Sequence, residues 1–226
     1  MAIAETLPTW LVVAAEEREF DGIREELGEG VALYWPEARF ARHVVANGVR
    51  LWLVANGPGA RLVKEALVNR RGAGGVISTG YCGALDPSLS VGDIVVSGEP
   101  VVTKRAFVRG RVHSSPRVVV TVGEKRKLYE TTGAVAVDME AAAVEERAAQ
   151  WNVPFLCIRV VSDTAGEDLP LDFNRFMDAA GRFSLARIAT QAVIHPFTVL
   201  PALLRLNKNC RSAGKQLGVF FADCRF

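Results

Sequence analysis

Along the chain, short and almost wholly apolar runs alternate with polar or glycine-rich breaks. Between them lie segments whose apolar residues recur every three to four positions. Residues 10–15 (WLVVAA) predict a first strand, and Phe20, Ile23 and Leu27 within EEREFDGIREEL predict an amphipathic helix. Residues 42–45 and 49–55 predict two strands joined by a tight turn at Asn47-Gly48. In ANGPGARLVKEALVN a Gly/Pro turn precedes a helix beginning near Ala60. Residues 75–78 begin the next strand, and STGYCGALDPSLSVGDIVVSGEP then passes through a Gly-rich loop and a turn into a strand at 93–97. VVVTV at 118–122 reads as a strand, followed by strand 134–137, helix 139–150 and strand 155–161. SDTAGEDLPLDF is a polar loop, and a helix resumes near Asn174 and runs to about Val193. Breaks at Pro196 and Pro201 lead into a basic, helix-like tail at about 196–220.

Strands that are apolar on both faces need cover on both faces, so the alternation predicts an α/β protein with helices on either side of a parallel or mixed sheet. The early hairpin argues against a purely parallel sheet. No repeat or low-complexity linker divides the 226 residues, and one domain over 1–226 is expected.

Composition narrows the function classes. Lys plus Arg number 27 against 25 Asp plus Glu, a balance that gives no reason to expect a nucleic-acid partner. Cys82, Cys157, Cys210 and Cys224 lack paired-ligand spacing, and His43, His113 and His195 are isolated, so neither a metal nor an organic cofactor is expected. No apolar run is long enough to span a bilayer, and Glu5 stands where a secretory signal would carry basic residues, which makes the cytoplasm the expected location.

Ligands of open α/β sheets bind beyond the carboxyl ends of the strands. Polar clusters stand there five times: Glu16-Glu17-Arg18, Asn56-Gly57-Pro58-Gly59, residues 78–83, Asp138-Met139-Glu140 and Ser162-Asp163-Thr164. None is a nucleotide fingerprint or a nucleophile elbow. The glycines either let an anion or sugar approach the backbone or only make turns. Asp138 reads equally as a helix cap. Glu140, beside three alanines, suggests close packing rather than open solvent. Asp163 is a loop cap or a carboxylate aimed into a site, and two acids at strand ends can divide a task between ribose hydroxyls and a proton.

With those clusters located, VVAAEE, ANGPG, STGYCGALDPSLSVGDIVV, AVDMEAAAV and NVPFLCIRVVSD resemble, in the same order, the purine nucleoside and uridine phosphorylase superfamily. The branch they look most like is the methylthioadenosine/S-adenosylhomocysteine nucleosidases. The resemblance implies a three-layer α/β/α sandwich, a homo-oligomer and cleavage of a nucleoside N-glycosidic bond. It places Glu140 on the ribose hydroxyls with Met139 beside the sugar, and Asp163 at purine N7. A carboxylate near the sugar favours the positive charge that develops on the ribosyl ring, and a proton at N7 makes the base a better leaving group. Tyr81, Cys82, Gly83 and Ser162 would frame the base.

Two departures alter the expectation. Aligning VVAAEER with the family puts Arg18 where the nucleosidases carry the water-positioning glutamate; Glu17 is adjacent and Glu19 one beyond. An arginine fork there suits inorganic phosphate as co-substrate, although Ser78 stands where hexameric phosphorylases carry a second phosphate arginine. Gly57, Ser78, Thr79 and Gly80 would surround the phosphate or water, and in hydrolysis Glu17 or Glu19 would hold the water. A phenylalanine-containing loop before DME is also missing. The short insert, Arg18 and the tail HPFTVLPALLRLNKNCRSAGKQL are similar to a hopanoid-associated phosphorylase-like branch, linked to removing adenine from adenosyl-hopane. The expectation is therefore base release from a 5′-substituted adenosine, by phosphorolysis or by hydrolysis. A nucleoside-binding protein without turnover is the other reading. The basic, Leu-bearing tail is compatible with contact to a membrane or a lipid substrate and equally with an amphipathic helix packed on the core.

Overall fold

The computed structural model describes residues 7–69 and 72–226. Its centre is β1 (Thr9–Ala14), whose side chains alternate between two cores. Val12 and Ala14 pack with Phe20, Ile23, Leu217 and Phe221, whereas Leu11 and Val13 pack with Val63, Val144 and Ala148. The first core is covered by α1 (Asp21–Leu27) and α6 (Val199–Asp223), the second by α2 (Ala60–Ala66) and α4 (Ala141–Gln150). This is the expected sandwich of helices on both faces of a mixed sheet.

The remaining strands are β2 (Val31–Ala32), β3 (Phe40–Ala46), β4 (Val49–Ala55), β5 (Gly75–Ala84), β6 (Ile94–Gly98), β7 (Val108–Arg109), β8 (Val112–Ser114), β9 (Ala136–Asp138) and β10 (Phe155–Asp163). They run in the order β2-β3-β4-β1-β5-β10-β6-β7, with β9 paired to β5 and β8 to β9. The hairpin β3–β4 turns at Asn47 and Gly48, both with positive φ (50° and 77°), as the Asn-Gly pair predicts.

Four local expectations are corrected. Residues 78–83 are not a loop: β5 continues through them as far as Ala84, paired with β1 only up to Ser78 and with β10 from Val76 to Gly83. Residues 118–122 are not a strand. Thr121 instead caps α3 (Val122–Thr132), its hydroxyl accepting from the Glu124 N–H at 3.2 Å while the Glu124 carboxylate accepts from the Thr121 N–H at 3.0 Å. The helix expected from Asn174 to Val193 is a short 3-10 turn at Phe173–Phe176, a non-helical stretch, and then α5 (Leu185–Ile194), capped by Ser184. Pro201 does not interrupt the tail. It sits in the first turn of α6, where its missing N–H leaves no bond unmade.

Helix α6 crosses α1 at glycines. A Cβ on Gly22 would lie 1.8 Å from the Gly214 carbonyl oxygen, and one on Gly218 would lie 2.0 Å from that of Gly22. That contact sets the depth of the cavity described next, because α6 supplies part of its wall.

Candidate active site

A cavity of about 610 Å³ opens over the carboxyl ends of β1, β5, β9 and β10, within the range of small-molecule sites. Its polar floor is a set of buried charges: Glu19, Asp138, Glu140 and Asp163 against Lys125 and Arg159. Burying an ion costs several kcal/mol unless it is paired, so each of these needs an explanation.

Arg159 lies in β10 on the face opposite Ile158 and Val160, and there it becomes the hub of the site. Its guanidinium lies 2.5 Å from Asp138 and 3.7 Å from Glu140, donates to the Thr79 carbonyl at 2.6 Å and to Ser78 Oγ at 2.8 Å. Burial works against its charge, but the carboxylates more than offset that and hold the side chain cationic. Asp138 also accepts from Ser114 Oγ (2.6 Å) and from the Ala141 N–H (2.8 Å), so it supports the start of α4 and fixes Arg159.

Glu140 lies at the seam between β9 and α4 and lines the cavity with Met139. It accepts from the Gly59 N–H at the start of α2, at 2.7 Å. Burial raises its pKa to about 7; Arg159 opposes the shift, and the neighbouring Asp138 and Glu19 carboxylates add to it.

Glu19 is buried and also lines the cavity. Its carboxylate accepts from the backbone N–H groups of Ala15 (2.8 Å), Glu16 (3.0 Å) and Tyr81 (3.0 Å). The close fit needs Gly80: at φ 119°, a Cβ there would stand 2.7 Å from Glu19 Oε1. Glu17 lies elsewhere, its side chain 58% exposed and 3.3 Å from Arg24, outside the cavity wall. The 3-10 turn at Glu17–Phe20 turns the exposed Glu17 outward and Glu19 inward.

Asp163 closes the far end. Its Oδ2 lies 2.6 Å from Lys125 Nζ and its Oδ1 2.8 Å from Ser162 Oγ. The Lys125 ammonium spends its other two protons on the Thr164 and Glu167 carbonyls, at 2.7 and 2.9 Å. Tyr81, Cys82, Gly83, Ser162 and Asp163 share the cavity wall with Val119, Val137 and Phe173. Burial raises the Cys82 thiol well above its usual range.

Arg18 lines the cavity and is exposed, whereas Gly57, Ser78, Thr79 and Gly80 do not line it. Ser78 is committed to Arg159, and Gly57 packs against Leu62 and Arg182. Leu169, Leu185, Ile188, Leu203 and Leu206 make one part of the wall apolar, while Arg117, Asn207 and Arg211 line it as well. Among the described residues no group of three or more His, Cys, Asp or Glu side chains could hold a metal ion.

Two central residues were absent from the candidates drawn from the sequence. Arg159 had a signal: a lone charge inside the apolar run LCIRVV must find buried partners. Lys125 had none, because GEKRK reads as a solvated basic run and only the packing of α3 turns one of its three cations inward.

Comparison with known proteins places this geometry. The family model of the phosphorylase superfamily matches residues 11–99 and 99–194. The chain is similar to the 5′-methylthioadenosine/S-adenosylhomocysteine nucleosidase of Anoxybacillus flavithermus, 27% identical over 76% of this chain and 93% of that protein. The Tolumonas auensis protein of the same name is 26% identical over 78% of this chain and 95% of its own length. Two solved structures share the fold: a Helicobacter pylori 5′-methylthioadenosine/S-adenosyl homocysteine nucleosidase (TM-score 0.69, 14% identity, 96% of this chain and 97% of that one) and the futalosine hydrolase of the same organism (TM-score 0.68, 14% identity, with the same coverage). With the family model matching most of its length, the chain belongs to the phosphorylase superfamily.

Proposed function

We propose that the protein cleaves the N-glycosidic bond of a 5′-substituted adenosine or related purine nucleoside by hydrolysis. The observation that carries this reading is the buried charge balance: four carboxylates against two cations. Even with a proton on Glu140 the excess stays negative. Such a floor favours a ribosyl ring that gains positive charge as its bond to the base breaks. The floor itself repels a phosphate dianion and admits water, the exposed Arg18, Arg117 and Arg211 being the cations elsewhere on the cavity wall.

In this mechanism Glu140 accepts hydrogen bonds from the ribose hydroxyls, with Met139 beside the sugar. Glu19 orients a water towards C1′ and takes its proton as the new C–O bond forms. The electron pair of the broken C1′–N bond leaves with the base, whose N7 takes a proton that Asp163 picks up from solvent and passes on, so that Asp163 ends as the carboxylate it began as. The carboxylate left behind meets the Lys125 ammonium, 2.6 Å away. Lys125 thus acts through Asp163, as a positioning residue. The apolar wall takes the 5′ substituent, from a methylthio group up to a polycyclic hydrocarbon such as that of adenosyl-hopane. A homo-oligomer is part of the proposal, to be read from the mass of the protein in solution.

Arg18 on the cavity wall supports a second reading, phosphorolysis. Base release from methylthioadenosine, with and without inorganic phosphate, separates the two. Hydrolysis predicts equal rates and a free 5-substituted ribose. A rate that needs phosphate and yields a ribose 1-phosphate would establish the role of Arg18 instead. Tight nucleoside binding without any release over a broad panel would make the protein a binding member of the family.

A further inference from the structure

Helices α5 and α6 form a hairpin that wears apolar residues on the outside as well as against the cavity. From Ile188 to Leu204 the chain carries no Asp, Glu, Lys or Arg. At its tip Phe197 is 92% exposed and Val193 79%, with Ile194, Leu200 and Leu204 exposed beside them. Arg187 and Arg205 flank this stretch at either end, and Lys208, Arg211 and Lys215 follow on α6, all exposed. From Ala179 to Ala222 there is not one acidic residue. Among the described residues no carboxylate stands within ion-pair distance of Arg187, Arg205, Lys208 or Arg211.

We infer that this hairpin docks on an anionic membrane surface, its apolar tip entering the headgroup–acyl boundary and its basic residues meeting lipid phosphates. Three observations choose this occupant. No helix of the described residues is long and apolar enough to cross a membrane, and the histidine-proline break at 195–196 divides the apolar stretch into two helices that suit the interface instead. The charge carried by the hairpin's own residues is of one sign, which complements an anionic leaflet, Glu167 and Asp168 from the loop after β10 bordering it at a small cleft beside Arg205. A second copy of the chain fits less well, since a two-fold interface would set the same acid-free patch against itself. The inference rests on surface composition, and it deepens the proposed substrate reading at one point. Leu185, Ile188, Leu203 and Leu206 of the same two helices wall the cavity, so a nucleoside carried on a lipid would reach the site from the docked side.

Flotation with vesicles tests the docking directly. The wild-type protein is expected to float with phosphatidylcholine vesicles containing phosphatidylglycerol. It should float less with phosphatidylcholine alone, and less again as salt is raised. Phe197→Glu combined with Leu200→Glu should lower the bound fraction by about tenfold or more. Both side chains are exposed, so the thermal midpoint and base release from free methylthioadenosine should be unchanged. A wild-type protein that stays with the soluble fraction over anionic vesicles would overturn the inference. So would a double variant that floats as well as wild type, or one that only turns a dimer into monomers. The arms separate the two readings. Flotation without base release from any nucleoside would leave the docking surface standing and remove the proposed reaction; release without flotation would do the reverse.

Discussion

Two residues of offset decide what the first loop can do. Glu17 and Glu19 are both acids after β1, yet one pairs with Arg24 in solvent and the other is buried under three backbone N–H groups. Sequence spacing ranks them equally, because the 3-10 turn that separates them is set by Phe20 entering the core. At the other end of the cavity Lys125 has three acceptors and no exposure. Lys125→Met leaves the Asp163 carboxylate buried beside an apolar chain. The expected result is a loss of roughly 3–5 kcal/mol in denaturant unfolding. A drop of about 10²-fold or more in the base-release rate should accompany it. The pH–rate profile of the variant should also change shape, which a merely structural lysine would not cause.

At the scale of elements, the strand pattern and the hairpin were legible because apolar period and the Asn-Gly turn act locally. Residues 78–83 were not: their glycines look like a loop, and beyond the last β1 partner at Ser78 only pairing with β10 and, at Gly83, with β9 keeps them extended. Likewise the Thr121–Glu124 capping box was written in the sequence, but the valines before it carried the stronger β signal. The crossing of α1 and α6 was invisible, since it needs Gly22 to meet Gly214 and Gly218 from the far end of the chain. Gly22→Val should therefore push α6 away from α1 and destabilise the protein by about 1–3 kcal/mol or more, read as a lower urea midpoint. It should also weaken nucleoside binding, because α6 walls the cavity.

Over the whole molecule, charge is sorted rather than merely balanced. The formal net charge is +2, yet the acid-free segment from 179 to 222 is strongly basic, so the rest of the chain is net acidic. Part of that acidity is the buried floor of the site, and it couples stability to pH through Glu140. Its folded pKa is raised, from 4.5 to about 7. The native state therefore holds a proton that the unfolded chain releases earlier. The corresponding stability is fully present below the unfolded value and is lost as pH rises through about 7. Glu140→Gln should match wild type near pH 4.5 and exceed it by roughly 1–3 kcal/mol above pH 7, measured by thermal or denaturant unfolding. Its base release should nevertheless fall by about 10²-fold or more, since the neutral amide no longer offsets charge on the ribosyl ring. In the wild type, kcat/KM should rise through about pH 7 as Glu140 ionises. The most direct test of the account compares base release from methylthioadenosine, without phosphate, by wild type, Glu19→Gln and Glu17→Gln. The account predicts a loss of about 10²-fold or more for Glu19→Gln and near wild-type rates for Glu17→Gln; an active Glu19→Gln enzyme, or release that appears only when phosphate is added, would contradict it.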